Sequence, residues 1–267
     1  MCEMAPLPTE SSEDIMIAVR NKLQTLFTSV GMPESHGMTH CMVVLGHMEK
    51  AISSADPSLA KHLTPEMALT LKLAAMLHEA DDHKYFKNST NATNILEEVL
   101  PADGNKTKMI SNVEEMISYV SASSNGNTVP TIVLSNPTFL WPRFCDRLEA
   151  IGVVGAVRCY QYNRETTAPL KLDSTPKPID EKSMWAHVTE ARWMKYQQGG
   201  NSASMMDHYY DKLLQIAHFD PAVVSNSYLQ EEATKRVRPL VEICLEFGKT
   251  GEVPVELLQR FEKELTA

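Results

Sequence analysis

From Thr64 to Leu77 the chain is apolar almost all the way round a helix, and directly afterwards it sets down His78, Glu79, Asp81 and Asp82. Thr64 is a good N-cap and Pro65 suits the first helical position, so the start of this helix is marked twice. A helix without a polar face has to be enclosed by other elements. A chain of 267 residues is long enough to enclose it, and the partners it offers are helical. The first is expected over 14–30. After the Gly31-Met32-Pro33 break, Met38, Cys41, Leu45, Met48 and Ile52 recur at steps of three and four, as one apolar helical face does. Further helices are expected over 91–100, 106–120 and 139–162, with 121–138 as loop. Beyond a proline-rich connection at 169–178 come 181–198, 204–219, 228–247 and a short C-terminal helix from Pro254. Strand signals are scarce, so the predicted fold is all-α. Residues 1–13, rich in Pro, Ser, Thr and Glu, read as a flexible leader, and 14–267 as one helical domain.

Charge and cysteine usage narrow the function. A formal net charge of −9 disfavours broad attachment to nucleic-acid polymers or anionic membranes, while leaving room for a small basic pocket. No apolar run reaches the length of a membrane span. The five cysteines are odd in number, far apart and free of any Cys-x-x-Cys pair, which predicts free thiols in a reducing, cytoplasmic setting. Cys41 and Cys145 adjoin candidate site residues, but neighbours on a helix point about 100° apart, so both read as small buried apolar groups.

The residues that could carry chemistry are His40, the pair His78-Glu79, and Asp146, each on a predicted helix or at its end. Two imidazoles and two carboxylates suit one borderline divalent cation such as Mn²⁺, Fe²⁺, Co²⁺ or Ni²⁺. Mg²⁺ accepts the oxygens but seldom seeks two imidazoles. A water on such a cation becomes a nucleophile at neutral pH, which suits hydrolysis of a phosphate ester. Asp81 and Asp82 follow a helix C-terminus, where the macrodipole disfavours acids, and that conflict points to function rather than to a solvated helix end.

In three places the sequence resembles the HD superfamily of metal-dependent phosphohydrolases, whose pattern is H…HD…D. These are Ser35-His36-Gly37-Met38-Thr39-His40, Leu77-His78-Glu79 and Asp146-Arg147-Leu148-Glu149-Ala150. The longer runs Ala74 to Lys84 and Ser204 to Leu214 look like the bacterial HD nucleotide pyrophosphohydrolases, and the likeness spans roughly residues 14–247. The resemblance implies an HD-type helical bundle with additional C-terminal helices and one divalent ion, Mn²⁺ foremost, on His40, His78, Glu79 and Asp146. It further implies that Asp82 orients or deprotonates the attacking water or protonates the leaving oxygen. Lys84 would face a phosphate, with His36, Lys212 and Arg236 as further substrate contacts. The substrate would be small and phosphorylated, a nucleotide by preference; homo-oligomerisation is left open.

Between Glu79 and Asp146 the only histidine is His83, whereas two-metal relatives carry more there, so one ion is expected. The chain departs from the pattern at Glu79, where the family has aspartate. Asp81 and Asp82 are alternative carboxylates for that position, and a degenerate module that binds a nucleotide or a partner protein without turnover is the competing reading. An HD-type oxygenase is a third. Trp185 and Tyr209 read chiefly as packing residues, with a nucleobase pocket as the lesser alternative.

Overall fold

The computed structural model describes residues 11–87 and 89–266, and no strand occurs among them. Ser11 opens helix α1 (Ser12–Val30) with a capping box: its hydroxyl accepts the Asp14 N–H while the Asp14 carboxylate accepts the Ser11 N–H. The leader read at 1–13 thus lies outside the described residues over 1–10, and Ser12 and Glu13 already belong to the helix. α1 buries the single stripe Ile15, Val19, Leu23 and Phe27 and ends at Gly31, whose φ of +62° is the left-handed cap conformation.

Helix α2 (Met38–Ser53) buries Met38, Cys41, Leu45 and Met48 as its spacing requires. Helix α3 (Pro65–Leu77) begins where the Thr64 hydroxyl accepts the Met67 N–H. Leu71, Leu73, Ala74, Ala75 and Leu77 show no exposure at all, because α1, α2, the fifth helix and the seventh surround α3. Each leucine so enclosed contributes about 1.5–3 kcal/mol. The enclosing and outer elements are α4 (Asn91–Val99), α5 (Lys106–Ser118), the short α6 (Ala122–Asn125), α7 (Trp141–Ala150) and α8 (Gly152–Thr166). They are followed by α9 (Glu181–Ala186), α10 (Glu190–Gly199), α11 (Met205–His208), α12 (Leu214–Ile216), α13 (Ser227–Thr250) and α14 (Val255–Thr266). One hydrophobic cluster runs through the described chain from Ile15 to Phe261.

Three expected helices are divided. The segment 139–162 breaks into α7 and α8 at Gly152, whose φ is +75° and whose missing Cβ would lie 3.2 Å from the Arg236 backbone oxygen. Only glycine fits that close approach without strain. The segment 181–198 breaks after His187, and the Thr189 hydroxyl recaps the chain at the Arg192 N–H. The segment 204–219 contains a π-helical turn, Tyr209–Leu213, between α11 and α12. Inside the expected 121–138 loop lie α6 and two 3₁₀ turns, Thr131–Leu134 and Pro137–Leu140.

Candidate metal centre

Three helices converge on one point. α2 supplies His40 near its start, α7 supplies Asp146, and α3 delivers His78 and Glu79 as it ends. His40 Nε2 lies 3.1 Å from His78 Nε2 and 3.2 Å from Asp146 Oδ1, and His78 Nε2 lies 3.6 Å from the same oxygen. Glu79 Oε1 lies 3.7 Å from His40 Nε2 and 3.8 Å from His78 Nε2. The longer glutamate side chain also carries that oxygen to 2.9 Å from His36 Nδ1.

The second nitrogen of His78 explains the ring's orientation. Its Nδ1 donates to the Ala75 carbonyl at 2.8 Å, one of the oxygens a helix leaves without a partner in its last turn. That bond holds the ring and turns Nε2 inward, as a second-sphere carbonyl does for a metal-bound imidazole. Burial opposes the His78 imidazolium, yet the hydrogen bond and negative charge of Asp146 outweigh it and raise its pKa to about 9. Burial pushes the Asp146 carboxyl up, and the hydrogen bonds and charge of the two histidines reverse this and hold it well below the usual carboxylate range.

These residues fit a divalent cation. The donor atoms of His40, His78 and Asp146 lie within 4.8 Å of one another, as do those of the adjoining set His36, Glu79 and Asp82. Two donors each about 2.1 Å from one ion sit about 3.0–3.6 Å apart at angles near 90–120°, the spacing that His40, His78 and Asp146 already show. The side chains of His40 and His78 are only 9% and 3% exposed, so bulk water competes little for the ion.

The acids after α3 part company. Asp81 turns away to cap α4: it accepts the Ser89 hydroxyl at 2.6 Å and the N–H groups of Asn91 and Ala92 at 2.7 and 3.1 Å. The structure therefore does not bring it to the cluster as an alternative ligand. Both acids line the cavity, but only Asp82 stands with His36 and Glu79. Burial works against its charge, but the Lys84 backbone N–H at 2.9 Å and the Lys84 ammonium at 3.7 Å keep its pKa below the ordinary value.

The cluster opens into a cavity of about 390 Å³, lined among others by His36, Asp82, Lys84 and Lys212. Arg236 is not in it. Its guanidinium is 2.7 Å from Glu149 Oε1 and 2.6 Å from the Leu148 carbonyl, and Glu149 also meets His47 at 3.1 Å. This network ties α13, α7 and α2 together behind the site. Trp185 and Tyr209 do not line the cavity; Tyr209 is wholly buried. Cys41 and Cys145 are also buried, and burial pushes both thiols up, away from the reactive thiolate.

Other cavity residues had no distinct signal in the sequence. Arg158 lines it from α8, and Ser118, Ser121, Ser123 and Ser124 form part of the wall. That wall is fastened by two arginines on α7. Arg143 donates to the carbonyls of Tyr119 and Thr128 at 2.6 and 2.8 Å, and Arg147 donates to Asn127 Oδ1 at 2.9 Å and to the Gly126 carbonyl.

Fold and site together define an all-α protein with a largely buried His/Asp cluster able to hold a metal ion. The chain is 32% identical over 223 residues to an uncharacterized protein of Acanthamoeba polyphaga mimivirus, a match covering 79% of this chain and 88% of that protein. It belongs to the same family as that viral protein. No family model matches the chain. A crystal structure from Lactobacillus plantarum is similar, with a TM-score of 0.53 at 18% identity over 95% of this chain and 98% of the other. The Lin1889 protein of Listeria innocua is similar at a TM-score of 0.51 and 19% identity, over 97% and 99% of the two chains. Both share the helical fold. No helix among the described residues is long and apolar enough to cross a membrane.

Proposed function

We propose that the chain is a metal-dependent phosphohydrolase of the HD superfamily, acting on a phosphate ester or anhydride, with a nucleotide as the leading substrate class. The observation that carries this reading is the joint placement of His40, His78 and Asp146 beside Asp82 and Lys84 in one cavity. A divalent ion bound there, Mn²⁺ by donor preference, supplies charge neutralisation and a lowered water pKa. The chain's own groups do the rest. Asp82, kept ionised and facing the cavity, accepts a proton from the attacking water. Lys84, at the rim, meets the negative charge of the phosphoryl oxygens as a mobile point charge. His36, hydrogen-bonded to Glu79, fixes the carboxylate that replaces the family's aspartate.

The test is release of phosphate or pyrophosphate from a panel of phosphomonoesters and nucleotides by purified protein with Mn²⁺, with His78→Ala as the inactive control. Metal-loaded, folded protein that releases neither from any compound refutes the reading. The competing reading, a binding module without turnover, draws on the Glu79–His36 pair at 2.9 Å. It predicts no activity in the wild type and a gain in Glu79→Asp.

A further inference from the structure

α2 meets α7 at the candidate metal centre, where His40 Nε2 lies 3.2 Å from Asp146 Oδ1. The same two helices meet again where His47 Nε2 lies 3.1 Å from Glu149 Oε1. His47 follows His40 by seven residues, two turns of α2, and Glu149 follows Asp146 by three, so each stands on the face of its helix that carries the candidate ligand. A shift of α2 against α7 that lengthens one contact therefore lengthens the other. Helix α13 closes the second contact from behind. The Arg236 guanidinium lies 2.7 Å from the same Glu149 oxygen, 3.1 Å from His47 Nε2 and 2.6 Å from the Leu148 carbonyl, and the Tyr228 hydroxyl lies 2.6 Å from His47 Nδ1. The α13 backbone is itself seated, because the Arg236 carbonyl oxygen presses on Gly152 at the corner between α7 and α8.

His47 and Arg236 do not line the cavity that holds the metal cluster, and His47 is buried. They are not placed to touch an ion or a substrate there. Apolar side chains would join these helices without the cost of taking an imidazole, a carboxylate and a guanidinium out of water. What the polar junction adds is geometry: hydrogen bonds tolerate a narrow range of length and direction, whereas the hydrophobic effect has no direction.

We propose that His47, Glu149 and Arg236 form a crossbar that sets the distance between α2 and α7, and thereby the size of ion that His40 and Asp146 accept between them. They are positioning residues, acting on the ion through the two helices. The inference rests on the proposed metal centre and is independent of the reaction carried out there.

Calorimetric titration of Mn²⁺ and of Ca²⁺ into EDTA-treated protein tests it, for wild type, His47→Leu, His47→Gln, Arg236→Leu and Ser11→Ala. Ser11→Ala is the control, since losing the α1 cap destabilises the fold without touching the cavity. No ligand differs among these proteins, so donor chemistry disfavours Ca²⁺ equally in all of them and a change in the ratio of the two affinities reads spacing. His47→Leu and Arg236→Leu are expected to bind Mn²⁺ about ten-fold more weakly, as changes behind a metal ligand do, with Ca²⁺ binding not weakened. The ratio then falls by about ten-fold. His47→Gln, whose amide nitrogen can stand in for Nε2, recovers part of it, and Ser11→Ala keeps the wild-type ratio. The Arg236 side chain is 24% exposed, so Arg236→Leu tests the crossbar even where His47→Leu fails to fold. A wild-type ratio in folded Arg236→Leu overturns the crossbar, even in a protein that binds Mn²⁺ and hydrolyses phosphate esters. Mn²⁺ and Ca²⁺ weakened by the same factor, as general loosening would give, overturn it equally. A fallen ratio in a protein that turns over no phosphate compound sustains the crossbar and removes the hydrolase reading. Wild-type protein that binds neither ion removes the metal centre and the crossbar with it.

Discussion

His40 Nε2 and His78 Nε2 face each other at 3.1 Å, and the other nitrogen of His78 is already committed to the Ala75 carbonyl. Two imidazole nitrogens that close need a hydrogen or a cation between them. Adding Mn²⁺ is expected to raise the melting temperature, by a stabilisation of about 2.7 kcal/mol at a hundred-fold excess over the dissociation constant. His40→Ala, His78→Ala and Asp146→Ala each abolish the shift. Scanning fluorimetry measures it and elemental analysis gives the stoichiometry, expected to be one ion per chain. Melting curves unmoved by any divalent ion would refute this assignment.

Asp81 and Glu79 are separated by one residue and have different work. Asp81→Ala removes the cap of α4 and is expected to destabilise the fold by about 1–2 kcal/mol in urea unfolding while metal affinity stays unchanged. Glu79→Gln does the reverse, weakening Mn²⁺ binding with little loss of stability. Weakened metal binding in Asp81→Ala would show that Asp81 reaches the ion after all.

If Asp82 accepts the proton from the attacking water, Asp82→Asn lowers kcat by about 10²–10⁴ and leaves KM nearly unchanged. Lys84→Ala chiefly raises KM. Steady-state phosphate release separates the two, and an Asp82→Asn enzyme with wild-type kcat removes the aspartate from the mechanism.

Glu149 gives a prediction in pH. Burial disfavours its charge, but His47 and Arg236 outweigh this and bring its pKa to about 2, below the usual 4.5. A depressed folded-state value stabilises the protein above the unfolded pKa and is lost as pH falls from about 4.5 towards 2. The shift is worth on the order of 3 kcal/mol at neutral pH. Glu149→Gln should therefore be less stable at pH 7 and show a shallower loss of stability between pH 5 and 2. Parallel acid titrations of the two proteins by circular dichroism would contradict this.

Much of the frame was legible because apolar periodicity and capping are local. Thr64 and Pro65 mark the start of α3, and the unbroken apolar face identifies it as central. The break at Gly152 was not legible, since the apolar pattern runs through it and the cause is the Arg236 backbone, 84 residues away in sequence. His40, His78 and Asp146 could be named because two imidazoles and a carboxylate on predicted helices follow the order of the HD pattern that the chain resembles. Arg158 could not, because on α8 it is one charge among several and only the packing of α8 beside the π-turn sets it near Lys212. Arg236 was misplaced for the same reason: its partner Glu149 lies on another helix. Asp81 and Asp82 were indistinguishable in sequence; the chain direction after α3 decides that one caps α4 and the other stands with His36 and Glu79.

From Leu69 to Leu77 only Lys72 of α3 reaches towards solvent, and two of the four candidate ligands follow directly from the helix's end. A backbone gripped along that run cannot shift to follow a larger or smaller guest. The spacing between His40, His78 and Asp146 is then a gauge of ionic radius: an ion near 2.1 Å from its donors is admitted, and a wide one such as Ca²⁺, at about 2.3–2.6 Å from oxygen, is turned away by geometry as much as by donor chemistry.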